Sequence, residues 1–251
     1  MRLILSGSLL CLLMVSCSAK QSTWQRIQDS GKLRVGLDPT YPPFEFADPE
    51  SVQGIDVDLA EAIAAALGLE ASFTYFGYDG LYDALGTEQV DVLISALVVE
   101  PARTRDFAYS DGYVNSGLVI VTRSEARLTQ IGDLAGKTVS VELGAAGHVE
   151  STTWQRQIPD LAVAPKQSSE EALTDMLDGE VDAAVVDNIT ARLFAGQQLD
   201  DEVHLAPLSE EPYVMVVRRT DGQLLRELNH ALDSVRSSGR LDVILDSWYQ
   251  G

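Results

Sequence analysis

Apolar residues recur along this chain with two periods. Leu33, Val35 and Leu37 alternate with Arg34, Gly36 and Asp38, which predicts a strand. From Ile55 to Leu67 the apolar positions return at helical spacing and stop at Gly68, which predicts a helix with a glycine end. The pattern then predicts a strand over 71–75, a helix over 79–86, a strand over 90–95 and a helix opening at Pro101. Strand and helix keep alternating through 139–205, and helices over 221–238 and 240–249 close the chain. Such alternation predicts parallel α/β layers.

One internal echo divides the pattern in two. Leu81-Tyr82-Asp83-Ala84-Leu85, then Val90-Asp91-Val92-Leu93-Ile94, is matched by Leu173-Thr174-Asp175-Met176-Leu177, then Val181-Asp182-Ala183-Ala184-Val185. Both read as helix, tight turn, Val-Asp and buried strand, with one residue of difference in the turn. Generic α/β units can resemble one another by chance, yet two such units about ninety residues apart fit two lobes of the same build.

The beginning of the chain has its own chemistry. Arg2 precedes an apolar run, Leu3 to Val15, that is too short to span a bilayer. Leu13-Met14-Val15-Ser16-Cys17 then looks like a lipobox, with Met14 in place of the commoner Leu. On that reading 1–16 is a lipoprotein signal peptide, and Cys17 takes a diacylglyceryl thioether and begins a tether with a short helix over 17–32. The other reading is an ordinary secretory signal cleaved nearby. A lipid on Cys17 would hold the exported protein to a membrane leaflet without spanning it. Both cysteines, Cys11 and Cys17, fall in this leader, so the remaining chain is expected to carry no disulfide and no thiolate metal site.

Composition narrows the partners. The formal charge is −20, from 18 basic and 38 acidic residues, and loss of Arg2 with the leader takes it to about −21. Such a field repels nucleic acid and anionic lipid, so neither is expected as a direct partner. His148, His204 and His230 show no metal-ligand spacing, and no phosphate loop, zinc signature or nucleophile elbow occurs. No metal or cofactor is expected.

Gly54-Ile55-Asp56-Val57-Asp58-Leu59-Ala60-Glu61-Ala62-Ile63, read with Tyr41-Pro42-Pro43-Phe44, resembles the signature of the bacterial family 3 extracellular solute-binding proteins. Val98-Val99-Glu100-Pro101-Ala102-Arg103, Phe107-Ala108-Tyr109-Ser110-Asp111-Gly112-Tyr113 and Asp133-Leu134-Ala135-Gly136-Lys137-Thr138-Val139 follow in the family's order. The resemblance implies a two-lobed α/β fold of the type II periplasmic-binding-protein kind, each lobe a mostly parallel sheet flanked by helices. It places lobe one at 33–112 plus 215–251, lobe two at 117–210, and hinges at 113–116 and 211–214. It also implies a monomeric receptor, in the periplasm or at the cell surface, that closes on an amino acid and delivers it to the membrane permease of an ABC transporter.

The same resemblance assigns a site. Arg103 would grip the ligand carboxylate, with the N–H of Val98 and, from lobe two, the Gly144-Ala145-Ala146-Gly147 helix opening around Ala146. Asp187 would take the ammonium, a role it could share with capping the next helix, and Ser95 and Ala96 would line the same end. Asp38, Tyr41, Tyr78 and Glu142 would surround the ligand side chain. Two carboxylates there ask for a basic ligand such as arginine, lysine or ornithine, whereas a Glu142 turned to solvent would suit glutamine. The chain departs from the family at Val98, where many relatives carry Thr, and at Glu100, which puts a negative charge beside Arg103. A cyclohexadienyl-dehydratase-like enzyme on the same scaffold, with Glu142 or Asp187 as acid, and a ligand-sensing domain are the alternatives.

Overall fold

The alternating run that begins at Leu33 becomes β1 (Lys32–Leu37), with Leu33, Val35 and Leu37 fully buried. The computed structural model that shows this describes residues 21–48, 51–126, 128–198 and 202–250. The expected leader, with Cys11 and Cys17, lies outside the described residues. Before β1, α1 (Thr23–Ser30) is capped by the Ser22 hydroxyl and ends at Gly31 in the left-handed conformation. After it come a small antiparallel sheet of β2 (Thr40–Tyr41), β3 (Glu45–Ala47) and β4 (Val52–Gln53), then α2 (Ile55–Ala66), β5 (Glu70–Tyr75), α3 (Leu81–Gly86), β6 (Val92–Leu97) and β7 (Phe107–Asn115). β8 (Leu118–Arg123), β9 (Thr138–Glu142), α4 (Ala146–Gln155), β10 (Ala162–Lys166), α5 (Ser169–Asp178), β11 (Ala183–Asp187), α6 (Asn188–Gly196) and β12 (Val203–Pro207) follow. β13 (Pro212–Arg218), α7 (Gly222–Ser237) and α8 (Arg240–Tyr249) complete the chain.

The two lobes repeat one topology. The first sheet has the order β5-β1-β6-β13-β7 and the second β10-β9-β11-β8-β12. In each, three adjacent strands are parallel, and the fourth in the order (β13 or β8) runs against both neighbours. The sequence echo is structural down to single bonds. Asp91 donates its N–H to the Arg34 carbonyl and accepts the Arg34 N–H on its carboxylate; Asp182 does the same with Thr138.

Side chains of the central strands alternate between two cores, because helices cover both faces of each sheet. Val92 and Ile94 of β6 enter one cluster and Leu93 and Leu97 the other. In β11, Ala184 and Val186 face one way and Ala183 and Val185 the other.

The helix expected to open at Pro101 does not form. Pro101–Arg103 is a single 3-10 turn, closed by the Thr104 hydroxyl on the Pro101 carbonyl. From Phe107 the chain is committed to β7: Phe107 and Tyr109 pack on the α3 side and Ala108 on the other, while the backbone pairs with β13.

The chain leaves the first sheet at Asn115, enters the second at Leu118, and returns between Pro207 and Pro212. Residues 113–115 and 212–214, anticipated in the hinges, are still strand, held by the pairing of Pro212 with Asn115 and Tyr213 with Val114. Asn115 laces the crossings together, accepting from the N–H groups of Gly117 and Glu211 and donating to the Ser209 carbonyl. Gly117 is needed here: a Cβ would lie 2.3 Å from the Ser209 oxygen.

Candidate ligand-binding site

The two motif segments near the N-terminus are bonded to each other. Ile55 and Asp56, the first residues of α2, donate their N–H groups to the carbonyls of Pro43 and Phe44. Gly54 makes this approach possible, since at φ 134° its hypothetical Cβ would sit 2.2 Å from the Phe44 oxygen. The contact carries β3 against the start of α2 and sets Glu45 beside Asp56.

Above that junction is a cavity of about 330 Å³ lined by Asp38, Thr40, Tyr41, Glu45, Tyr78, Ser95, Ala96 and Tyr213. Five residues picked out in the sequence (Asp38, Tyr41, Tyr78, Ser95 and Ala96) thus converge. Ser95 and Asp38 stand at the carboxyl end of parallel strands, where open α/β sheets place their ligands. Tyr41 and Tyr78 present exposed rings, and the Tyr41 hydroxyl meets that of Tyr213 at 3.3 Å. Ala96 sits at φ +43°, a costly conformation for a residue with a Cβ, and its N–H is aimed at Asp56 (2.6 Å).

Beneath the cavity floor the hydrogen bonds form a chain. The Asp38 N–H donates to Ser95 Oγ (3.0 Å), and Ser95 Oγ donates to Glu45 Oε1 (2.7 Å). Glu45 and Asp56 are buried at neighbouring points of this chain, Glu45 under Ser95 and Asp56 under the Ala96 N–H. Burial, reinforced by the charge of Asp56, pushes Glu45 far above the ordinary carboxylate range; burial also raises Asp56.

Lobe two contributes a smaller cavity of about 110 Å³, lined among others by Glu142, Ala146 and Asp187. Ala146 opens α4, so N–H groups of the first turn are available to an anion. Gly147 lets α4 sit against β11, because a Cβ there would come 2.4 Å from the Val185 carbonyl oxygen. Asp187 caps α6, accepting from the Thr190 N–H and hydroxyl. Glu142 accepts from the N–H and hydroxyl of Ser169 at the start of α5. The two cavities share no lining residue.

Val98 and Arg103 line neither cavity. Val98 packs on the lobe-one core. Arg103 gives its Nε–H to Glu100 (2.6 Å) and lays its guanidinium 4.1 Å from the centre of the Tyr82 ring. A larger polar groove of about 570 Å³ runs between α6 and α8, but it gathers none of the residues of the cleft.

Sequence reasoning did not pick out Thr40, Glu45 and Tyr213 in the cavity, or Asp56 beneath it. A signal for Asp56 was present: it shares the apolar stripe of α2 with Leu59, Ala60 and Ile63, where a carboxylate is out of place unless it is partnered. Tyr213 lies far along the chain and reaches the cavity only because β13 returns to the first sheet.

Two similar α/β lobes, joined by two short crossings and each with a cavity at its strand ends, define a bilobal small-molecule-binding protein. The chain belongs to the bacterial extracellular solute-binding proteins, family 3, whose model matches residues 33–251. It is 26% identical over 255 residues to the arginine-binding extracellular protein ArtP of Bacillus subtilis (strain 168), covering 99% of this chain and 97% of that one. It is 26% identical over 238 residues to the ABC transporter glutamine-binding protein GlnH of the same organism, covering 93% of this chain and 86% of that one. Among solved structures, an ancestral cationic amino acid solute-binding protein superposes with a TM-score of 0.65 at 28% identity, over 91% of this chain and 100% of its own.

Proposed function

We propose that this protein is an exported receptor for a polar amino acid, with a basic side chain favoured, that hands its ligand to the permease of an ABC transporter. The observation that carries the reading is the convergence of Asp38, Tyr41, Tyr78, Ser95 and Ala96 on one cavity at the strand ends of lobe one, with Asp187, Ala146 and Glu142 on the facing lobe. Closing 33–112 plus 215–251 onto 117–210 would bring the two halves together, with the crossing strands as hinges. In the closed form Asp187 would hold the ammonium, while Arg103 and the first turn of α4 would hold the carboxylate.

Asp38 weighs toward a basic ligand. It is nearly buried and lines the cavity with no basic residue among the lining groups, so a cationic side chain supplies the missing counter-charge. The names of the relatives point the same way for two of the three, and to glutamine for the third. Glu142 weighs less, because Ser169 already occupies its carboxylate. No catalytic role is proposed for it or for Asp187: each carboxyl group is already engaged at a helix start, Glu142 by Ser169 and Asp187 by Thr190.

The protein is further proposed to act as a monomer, anchored through a lipid on Cys17 after removal of 1–16. The intact mass of the exported chain checks the anchor. Calorimetric titration of ligand-stripped protein tests the main reading. One-to-one binding of arginine, lysine or ornithine is the expected result. Binding of a neutral amino acid alone would keep the receptor and remove the basic preference. Silence toward every amino acid, with turnover of prephenate or arogenate, would replace the receptor with a dehydratase.

A further inference from the structure

Glu45 is 1% exposed and Asp56 0%, yet among the described residues neither forms an ion pair with a basic side chain. The titratable groups that face them are Asp38 at the end of β1, Tyr41 on β2, Tyr113 on β7, Tyr213 on β13 and Tyr249 on α8, all acidic or phenolic. Glu45 Oε1 and Asp56 Oδ2 are served by Ser95 and Ala96, while Glu45 Oε2 and Asp56 Oδ1 are buried with no donor of their own among the described residues. Two carboxylates cannot stay charged side by side without water or a counter-ion. The pair therefore needs one proton, which would also give a partner to an oxygen that has none. Glu45 also lines the lobe-one cavity, so this proton lies one side chain away from whatever enters there.

We propose that Glu45 and Asp56 share one proton in the empty protein, and that a cationic side chain entering the cavity displaces it, so that binding of a basic amino acid releases a proton to solvent. The inference rests on the receptor reading above and adds a residue, Glu45, that sets ligand preference. The charge balance is simple. In the empty site Asp38, Glu45 and Asp56 are offset by one proton; in the filled site the single ligand cation takes the proton's place against the same three groups, and the proton leaves through the cavity. Among the described residues, no basic side chain lines the cavity. A neutral side chain has nothing to exchange for the proton and leaves the pair as it is. The affinity for a basic ligand should then rise about tenfold per pH unit through the neutral range, where the empty pair still holds its proton.

Titration calorimetry of the full protein at neutral pH, repeated in buffers of different ionisation enthalpy, counts the protons. L-arginine, L-lysine and L-glutamine are the probes, and glutamine shares the α-amino group, so any exchange there cancels. The expected result is one proton released with arginine or lysine and none with glutamine. In Glu45→Gln, with a thermal melt showing that the fold persists, the release is lost. Infrared spectroscopy gives a second reading: a protonated-carboxyl band in the empty protein, absent from Glu45→Gln and bleached by arginine. Arginine binding whose heat is independent of buffer, or a band that persists in the complex, overturns the proton exchange and leaves the receptor intact. Binding of glutamine alone overturns the exchange together with the basic preference. Absence of heat from every amino acid overturns the receptor reading itself, and the exchange with it.

Discussion

Arg103 is held away from the cleft by its own neighbour. Glu100 takes its Nε–H at 2.6 Å across a partly exposed i,i+3 pair, and Tyr82 supports the guanidinium from below. A ligand carboxylate that recruits Arg103 must therefore compete with Glu100. Exposed pairs of this kind contribute about 0.2–1 kcal/mol, so Glu100→Gln should tighten amino-acid binding by up to about fivefold. In an Arg103→Ala background the same change should have no effect, because the competition is gone. Titration of the four proteins measures the coupling, and weaker binding by Glu100→Gln alone would show that Glu100 assists the ligand. This conflict was legible in the sequence, where Glu100 stands three residues before Arg103. The Glu45–Asp56 contact was not. It depends on two carbonyls of one segment accepting the first N–H groups of another, and neither spacing nor composition reports such a contact.

At the scale of elements, the echo between residues 81–94 and 173–185 foretold that the two sheets are built alike, and the positions of Asp91 and Asp182 explain why it was visible. Each aspartate takes a neighbouring strand's N–H in the same register, so the Val-Asp pair marks the start of a central strand in both lobes. The loads they carry differ. Asp91 is fully buried and binds Arg34 at 2.7 Å and Arg26 at 2.5 Å, with Arg218 at 3.9 Å, whereas Asp182 meets Lys137 at the surface. Burial alone would raise Asp91, but the hydrogen bonds from Arg34 and Arg26 outweigh it and hold the group below its ordinary value. Asp91→Ala should cost about 2–3 kcal/mol, since it removes the charged hydrogen bonds to Arg34 and Arg26 and the bond to the Arg34 N–H, and so loosens α1 on the sheet. Asp182→Ala should cost far less, in line with an exposed pair at about 1 kcal/mol or below. Urea unfolding of both variants checks the contrast. Because Asp91 is depressed in the folded state, its contribution is present above the ordinary aspartate range and lost as pH falls through and below it. Equal costs in the two variants would mean that the Arg26–Arg34–Arg218 cluster is not held by Asp91. The helix at Pro101 failed for the opposite reason. Its opening residues were right for a helix start, but pairing with β13, far along the chain, claimed the residues that would have continued it.

For the molecule as a whole, the geometry of the crossings bears on how the lobes can move. Asn188, the residue after Asp187, donates its side chain to the Asn115 carbonyl and its N–H to Gly117. The loop that would hold the ammonium is thus bonded directly to the chain that passes between lobes. On the side of α6 and α8, Ile189 of lobe two is buried in the lobe-one cluster with Tyr249, and Gly196 packs so near the Tyr249 carbonyl that a Cβ would lie 2.0 Å from it. These contacts leave the crossing region tight, which favours rotation about the crossings over separation of the lobes. A ligand held by groups on both faces gains its full set of contacts only after that rotation, so it shifts the population toward the closed form by its differential affinity. Small-angle scattering of the stripped protein should accordingly show a smaller radius of gyration once the amino acid identified by calorimetry is added to saturation. The change should vanish in Asp187→Ala at ligand concentrations that still fill the lobe-one cavity, because the bridge to the second lobe is missing. An unchanged radius at saturation of the native protein would mean that lobe one binds the ligand alone, and Asp187 would then serve only as the cap of α6.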